Sequence, residues 1–280
     1  MRVLIAGCGD VGSVLAENLL AAGHTVFGLK RNTASLPEAV KAIAADLTDP
    51  STLNDLPPDI DWLVFMPTPS ERTLEAYKAI YVQGWVNLWA ALKQFPSRCL
   101  VVSSTSVYGQ SDGSWVDEDT DSVPTRFNGR ILLDMEATAR AVFNNTIIAR
   151  LSGIYGPGRE GLLKMASAAQ QVQASPPMYS NRIHRDDAAA ALAHLLQLDK
   201  PDNLYLVTDD LPVAKYEVMS WLAEQMGFKP PAMLENMTAG SGKRISNQRL
   251  RDSGLQLKYP DYKAGYSQIL TQRNNHAVSG

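Results

Sequence analysis

The chain has 280 residues, 45% of them hydrophobic, and a formal net charge of −3. That is enough apolar material for a buried core in one large domain, or in one domain with a smaller lobe. The slight acidity leaves no basic field to attract nucleic acid, and the longest apolar runs, such as WLVFMP from Trp62, are too short to span a membrane.

Short β-branched runs alternate with stretches of helical periodicity. RVLIAG from Arg2 reads as a strand, and GSVLAENLLAAG as an amphipathic helix ended by Gly23. TVFGLKR, WLVFM and CLVVSS read as further strands. TLEAYKAIYVQGWVNLWAALKQF, from Thr73, reads as a long helix, and ILLDMEATARAVFN, from Ile131, as the next. TIIARLSGIYG, from Thr146, returns to strand. Continuously apolar strands alternating with helices predict an α/β fold with a parallel sheet covered on both faces.

After Gly158 the pattern loosens. NRIHRDDAAAALAHLLQL starts a helix with acids in its first turn, NLYLVTD is a strand, and AKYEVMSWLAEQMG is a helix closed by Gly227. The stretch from Lys229 to Gln256, rich in Pro, Gly, Asn and charge, suits a small lobe. The expected division is a nucleotide domain at 1–158 and 182–209, a substrate-binding lobe at 159–181 and 210–272, and a frayed tail at 273–280. Cys8 and Cys99 are too few for a disulfide framework or a multi-cysteine metal site, and a reducing cytoplasm is the simplest setting. The opening MRVLIAGCGD flows from a strand into a glycine loop and does not read as a secretory leader.

GCGDVG supplies Gly7, Gly9 and Gly12 between the first strand and first helix. The first glycine permits the tight turn, the second lets backbone approach a pyrophosphate, and the third lets the helix pack on the strand. Asp10, Val11 and Gly12 open that helix, whose N–H groups favour phosphate. This context predicts a Rossmann-type doubly wound sheet that binds a dinucleotide. An NAD site places a carboxylate at the end of the second strand; here Lys30 and Arg31 stand there, so NADP is expected over NAD.

With GCGDVG, AADLTD, SSTSVYG, RLSGIYGPGR and RIHRDDAAAAL in this order, nearly the whole chain resembles the extended short-chain dehydrogenase/reductase family of NAD(P)-dependent epimerases and dehydratases. The resemblance implies that Asp46 contacts the adenine, with Leu47 beside it, and that Ser104 hydrogen-bonds the reacting substrate oxygen. It also implies that Tyr155 lines the nicotinamide side, and that His184 and Asp187 support the site wall. Pro67 and Ser103, at the ends of two strands, complete the expected cofactor contacts.

The departures carry as much information. The family's catalytic tyrosine and lysine positions align with Arg126 and Arg130. An arginine, with a pKa above about 12, cannot exchange the phenol's proton, although its donor fork can take over the lysine's contact with the ribose. The family's relay asparagine aligns with Tyr81, while Asn87 keeps a later motif position. Thr105 and Ser106 replace the acids of the family's dehydratases. The pattern is closer to an atypical subgroup that keeps an N-x-GR-like segment, here Asn128 to Arg130. Tyr108 reads as part of a structural turn, and Asp134 as an ion-pair partner of Arg130 one turn away.

Two functions stand. One is an NADP-dependent oxidoreductase or epimerase with a rebuilt proton relay and a small carbonyl or sugar-like substrate. The other is an NADP-binding sensor that passes its occupancy to a partner. The resemblance further implies a homodimer through the helices at 72–95 and 129–144; a core-only role for their apolar stripes is the alternative.

Overall fold

The computed structural model describes residues 1–168, 170–235 and 240–278, with 274–278 in backbone only. The chain forms two compact units. The first contains Met1–Tyr108, Ser122–Arg150 and Ala189–Tyr205; the second contains Gly109–Asp121, Leu151–Ala188 and the described residues from Leu206 onward.

The first unit is built on a seven-stranded sheet. Its strands are β1 Arg2–Ala6, β2 Thr25–Lys30, β3 Lys41–Ala44, β4 Trp62–Phe65, β5 Arg98–Ser104, β6 Thr146–Leu151 and β7 Leu204–Val207, in the spatial order β7-β6-β5-β4-β1-β2-β3. Pairing is parallel at β1–β2, β2–β3, β1–β4 and β4–β5. Every residue of β4 and β6 is buried, as expected for strands covered on both faces. Strand order reverses between β1 and β4, and ligands of such sheets bind beyond the strand ends at that switch point. The edge strand β3 is not legible in the sequence, because KAIA is mostly exposed and carries no buried face.

Three helices matter for the site. Helix α1 runs Asp10–Ala21. Helix α2 is assembled from Leu74–Tyr77, a π-helical Lys78–Gln83 and Gly84–Ala91, and stops where Leu92 turns extended. Helix α3, Phe127–Val142, starts four residues before its expected beginning, with Arg126 at its N-cap position. TIIARLSGIYG is two strands rather than one. After β6 the chain leaves the sheet, and Gly153–Tyr155 pairs in parallel with Arg182–His184 in the second unit.

Residues 109–121, expected in the nucleotide domain, group with the second unit because Asp112–Val116 pairs with Gly242–Ile245. A core of Tyr155, Leu163, Val218, Leu222, Tyr262 and Tyr266 organises that unit. Its last helix runs Tyr262–Val278, through most of the expected frayed tail. No glycine or proline interrupts residues 266–278, so nothing there stops the helix.

Candidate functional site

The turn from β1 to α1 forms as the glycines require. The N–H groups of Gly7 and Cys8 both donate to the Leu29 carbonyl, at 2.9 and 3.0 Å. Gly7 has φ +89°, and a Cβ there would lie 2.4 Å from Pro67 Cα, so only glycine fits. A Cβ on Gly9 would meet nothing nearer than 3.9 Å, so that face of the loop is open. At Gly12 a Cβ would sit 3.4–3.5 Å from Gly7, Cys8 and Ile5, against the strand. The Ser13 N–H donates to Gly9 at 2.8 Å, so the amides of residues 10–12 precede the first helical bond, and no side chain caps this terminus. Such a helix start attracts anions. Asp10 and Val11 therefore enter the site through backbone position; their side chains do not line the pocket.

A pocket of about 530 Å³ opens beside this turn. Gly7, Gly9, Lys30, Arg31, Asp46, Leu47 and Pro67, all named from the sequence as candidate cofactor contacts, line it. Lys30 Nζ donates to Ser35 Oγ at 3.0 Å, and Arg31 is exposed. Asp46 Oδ1 accepts from the Thr48 N–H and hydroxyl, at 2.9 and 2.8 Å. Burial works against the Asp46 charge, but the Thr48 hydrogen bonds and Arg31 outweigh it and hold the carboxyl below its ordinary range. Asp46 thus shapes its own turn as well as the pocket wall. Thr68, Ser70, Ala76 and Ile80 also line the pocket and were not anticipated. They come from a loop and a helix with no motif of their own, brought to the switch point by the chain path. Cys8 is fully buried, and burial pushes its thiol up to about 11, so it packs rather than reacts.

Ser104 ends β5 and its Oγ accepts the Ser106 N–H at 3.2 Å. The start of α3 packs on this turn: a Cβ on Gly129 would lie 2.6 Å from the Ser106 carbonyl. Ser104 and the Arg126–Arg130 segment are therefore neighbouring parts of one structure. Arg126 and Arg130 are both exposed, and neither lines the 530 Å³ pocket. The expected Arg130–Asp134 ion pair is absent among the described residues; both side chains are exposed, where such a pair gains little. Ser103 is buried outside the pocket lining.

Tyr108 is structural. Its hydroxyl accepts from Arg150 Nη1 at 2.7 Å, and Arg150 also donates to Ser122 at 2.8 Å and to both Glu136 carboxylate oxygens, at 3.0 and 2.7 Å. This buried network was missed, although a lone arginine in the apolar strand TIIARL signals it.

The second unit places its motif residues inside the fold. Tyr155 is 4% exposed, stacks on Tyr266 at 4.5 Å and donates to the Asp261 carbonyl at 3.4 Å. Its ring is core, which corrects the expectation that it lines the nicotinamide side. His184 is fully buried between the rings of Tyr155 and Tyr259, and its Nδ1 accepts the Asp186 N–H at 3.2 Å. Burial lowers its pKa below the ordinary value, against the pull of Asp186. Asp187 accepts the N–H groups of Lys258 and Tyr259, at 2.9 and 2.8 Å, and so anchors that segment.

A sequence model described as the NAD dependent epimerase/dehydratase family matches residues 3–207. Protein YeeZ of Escherichia coli K12 is 29% identical over 274 residues, covering 93% of this chain and 97% of its own. A 2'-dehydrokanamycin reductase from Streptomyces kanamyceticus is 30% identical over 224 residues, covering 71% of this chain and 59% of its own. The solved structure of a candidate NAD-dependent epimerase/dehydratase from Methylobacillus flagellatus superposes with a TM-score of 0.83 at 38% identity, over 98% of each chain.

Proposed function

The chain belongs to the NAD-dependent epimerase/dehydratase family, and from that premise we propose that it is an NADP-dependent oxidoreductase or epimerase for a small carbonyl or sugar-like substrate. The observation that carries this reading is the pocket lined by both the glycine turn, Gly7 and Gly9, and the two cations Lys30 and Arg31. The residues fit a dinucleotide. A side chain on Gly9 would fill the open face of the loop, the amides at the start of α1 suit a pyrophosphate, and two cations suit a 2'-phosphate. When bound, the nicotinamide supplies or accepts hydride. Ser104 would orient the substrate oxygen, and Arg130 would supply the ribose contact and positive charge. Arg126 occupies the phenol's position but lacks the hydroxyl that exchanges the substrate proton, so the proton relay is rebuilt around other groups. The 2'-dehydrokanamycin reductase among its relatives supports reductive chemistry.

A second reading, an NADP sensor without turnover, is favoured by one observation: Arg126 and Arg130 are exposed where the family's acid/base pair would stand. In either case we place the protein in the cytoplasm, consistent with its two free cysteines. We also assign it a second copy as partner, across the helices at 72–95 and 129–144. Val82 and Val86, 38% and 47% exposed, support that face.

Titration with NADPH and NADH, followed by deuteride transfer from labelled NADPH to a carbonyl panel, tests the proposal. NADPH is expected to bind more tightly, and the double variant Lys30→Ala/Arg31→Ala to lose about tenfold or more for NADPH and little for NADH. Tight binding with no transfer to any carbonyl selects the sensor. Preference for NADH overturns the cofactor assignment.

A further inference from the structure

The pocket has two walls made of loops, one after β3 and one after β4, and both are held by the same helix. Tyr81, in the π-helical turn of α2, is 9% exposed and its hydroxyl donates to the Pro67 carbonyl at 3.3 Å. Pro67 is the residue that closes against Gly7, and it lines the pocket. Asn87, two turns further on and 7% exposed, donates from Nδ2 to the Leu47 carbonyl at 2.9 Å, and its Oδ1 accepts from Gln83 at 2.8 Å. Leu47 lies in the wall formed by the loop after β3, next to Asp46. Gly84, between them, lets the helix approach: a Cβ there would sit 3.2 Å from Leu47 Cβ.

Neither Tyr81 nor Asn87 lines the pocket, whereas Ala79 and Ile80 of the same π turn do. A π turn takes in an extra residue and rotates the phase of the helix beyond it, and such turns recur at functional sites. Here the turn presents Ala79 and Ile80 to the pocket, while Tyr81 reaches the carbonyl behind Pro67. Burial raises the Tyr81 pKa above its ordinary value, so the phenol remains a donor.

We infer that Tyr81 and Asn87 are positioning residues for the nucleotide, holding the β4 and β3 loops at the separation that the dinucleotide needs. This rests on the nucleotide reading of the pocket. Tyr81 stands where the family resemblance places a relay asparagine, so in this chain the position serves binding geometry through its hydroxyl.

The test uses the full chain and measures NADPH and NADH dissociation constants beside the melting temperature of the free protein. Tyr81→Phe keeps the ring and removes the donor. It is expected to weaken both nucleotides by about three- to tenfold, leaving their ratio unchanged, with a small change in melting temperature. Asn87→Ser is expected to do the same from the other wall. Leu88→Val softens the same core without a hydrogen bond to either loop, and should lower the melting temperature while sparing both affinities. Affinities within about twofold of wild type in Tyr81→Phe and Asn87→Ser overturn the inference, whatever their melting temperatures. If the wild-type chain binds neither nucleotide, the nucleotide reading and this inference fall together; if it binds and the variants bind equally well, only the inference falls.

Discussion

The pocket of the first unit and the motif cluster of the second use similar residue types for opposite ends. In the pocket, Lys30, Arg31 and Asp46 remain at least partly exposed at strand ends, around a loop kept bare by glycine. In the second unit, Tyr155, His184 and Asp187 are buried, and the Tyr155 hydroxyl, the His184 Nδ1 and the Asp187 carboxylate bond to backbone of the fold itself, while His184 Nε2 has no hydrogen-bond partner among the described residues. A motif residue therefore does not announce which role it has. Burial and hydrogen-bond partners decide, because a side chain already satisfied inside the protein has little left to offer a ligand.

The largest effect should come from breaking a buried polar network. Glu136→Ala leaves Arg150 charged and without its bidentate partner, and should cost about 3–5 kcal/mol in denaturant unfolding. If the cost is below about 1 kcal/mol, the network around Tyr108 is not structural in the sense argued.

The two loop glycines separate packing from binding. Gly7→Ala forces Cβ into Pro67 at a positive φ, so both stability and nucleotide affinity should fall. Gly9→Ala meets open space, so the melting temperature should stay within a few degrees while nucleotide affinity drops about tenfold or more. Equal behaviour of the two variants in both measurements would contradict the assignment of Gly9 to the ligand.

Asp209 brings pH into the contrast between the units. It is 1% exposed in the second unit, and burial pushes its carboxyl up to about 8, against the pull of Arg182. The unfolded group titrates near 3.8. Between these values the native state binds the extra proton, so stability contributed by this group falls as pH rises through that window. Asp209→Asn should melt like wild type near the lower pH and above it at the upper one. A constant difference between the two proteins across the window would show that Asp209 does not titrate in this way.

The smallest effect is expected at Tyr155. Removing its hydroxyl with Tyr155→Phe breaks one long hydrogen bond to Asp261 and should cost about 1 kcal/mol or less, with nucleotide affinity unchanged. A large loss of affinity would return Tyr155 to the cofactor site.

The α/β alternation, the glycine turn and several of the residues that line the pocket were legible in the amino-acid order alone. These are local properties: strand and helix periodicities, a positive φ at Gly7, and charges placed directly at a strand end. Partners distant in sequence settled the rest. The exposed strand Lys41–Ala44 exists only because β2 pairs with it. Tyr155 and His184 became core because their strands pair under aromatic neighbours from residues 259 and 266. Tyr81 and Asn87 reach Pro67 and Leu47 across 14 and 40 residues of chain. No local pattern records such a contact, since its energy arises only when both segments are already folded.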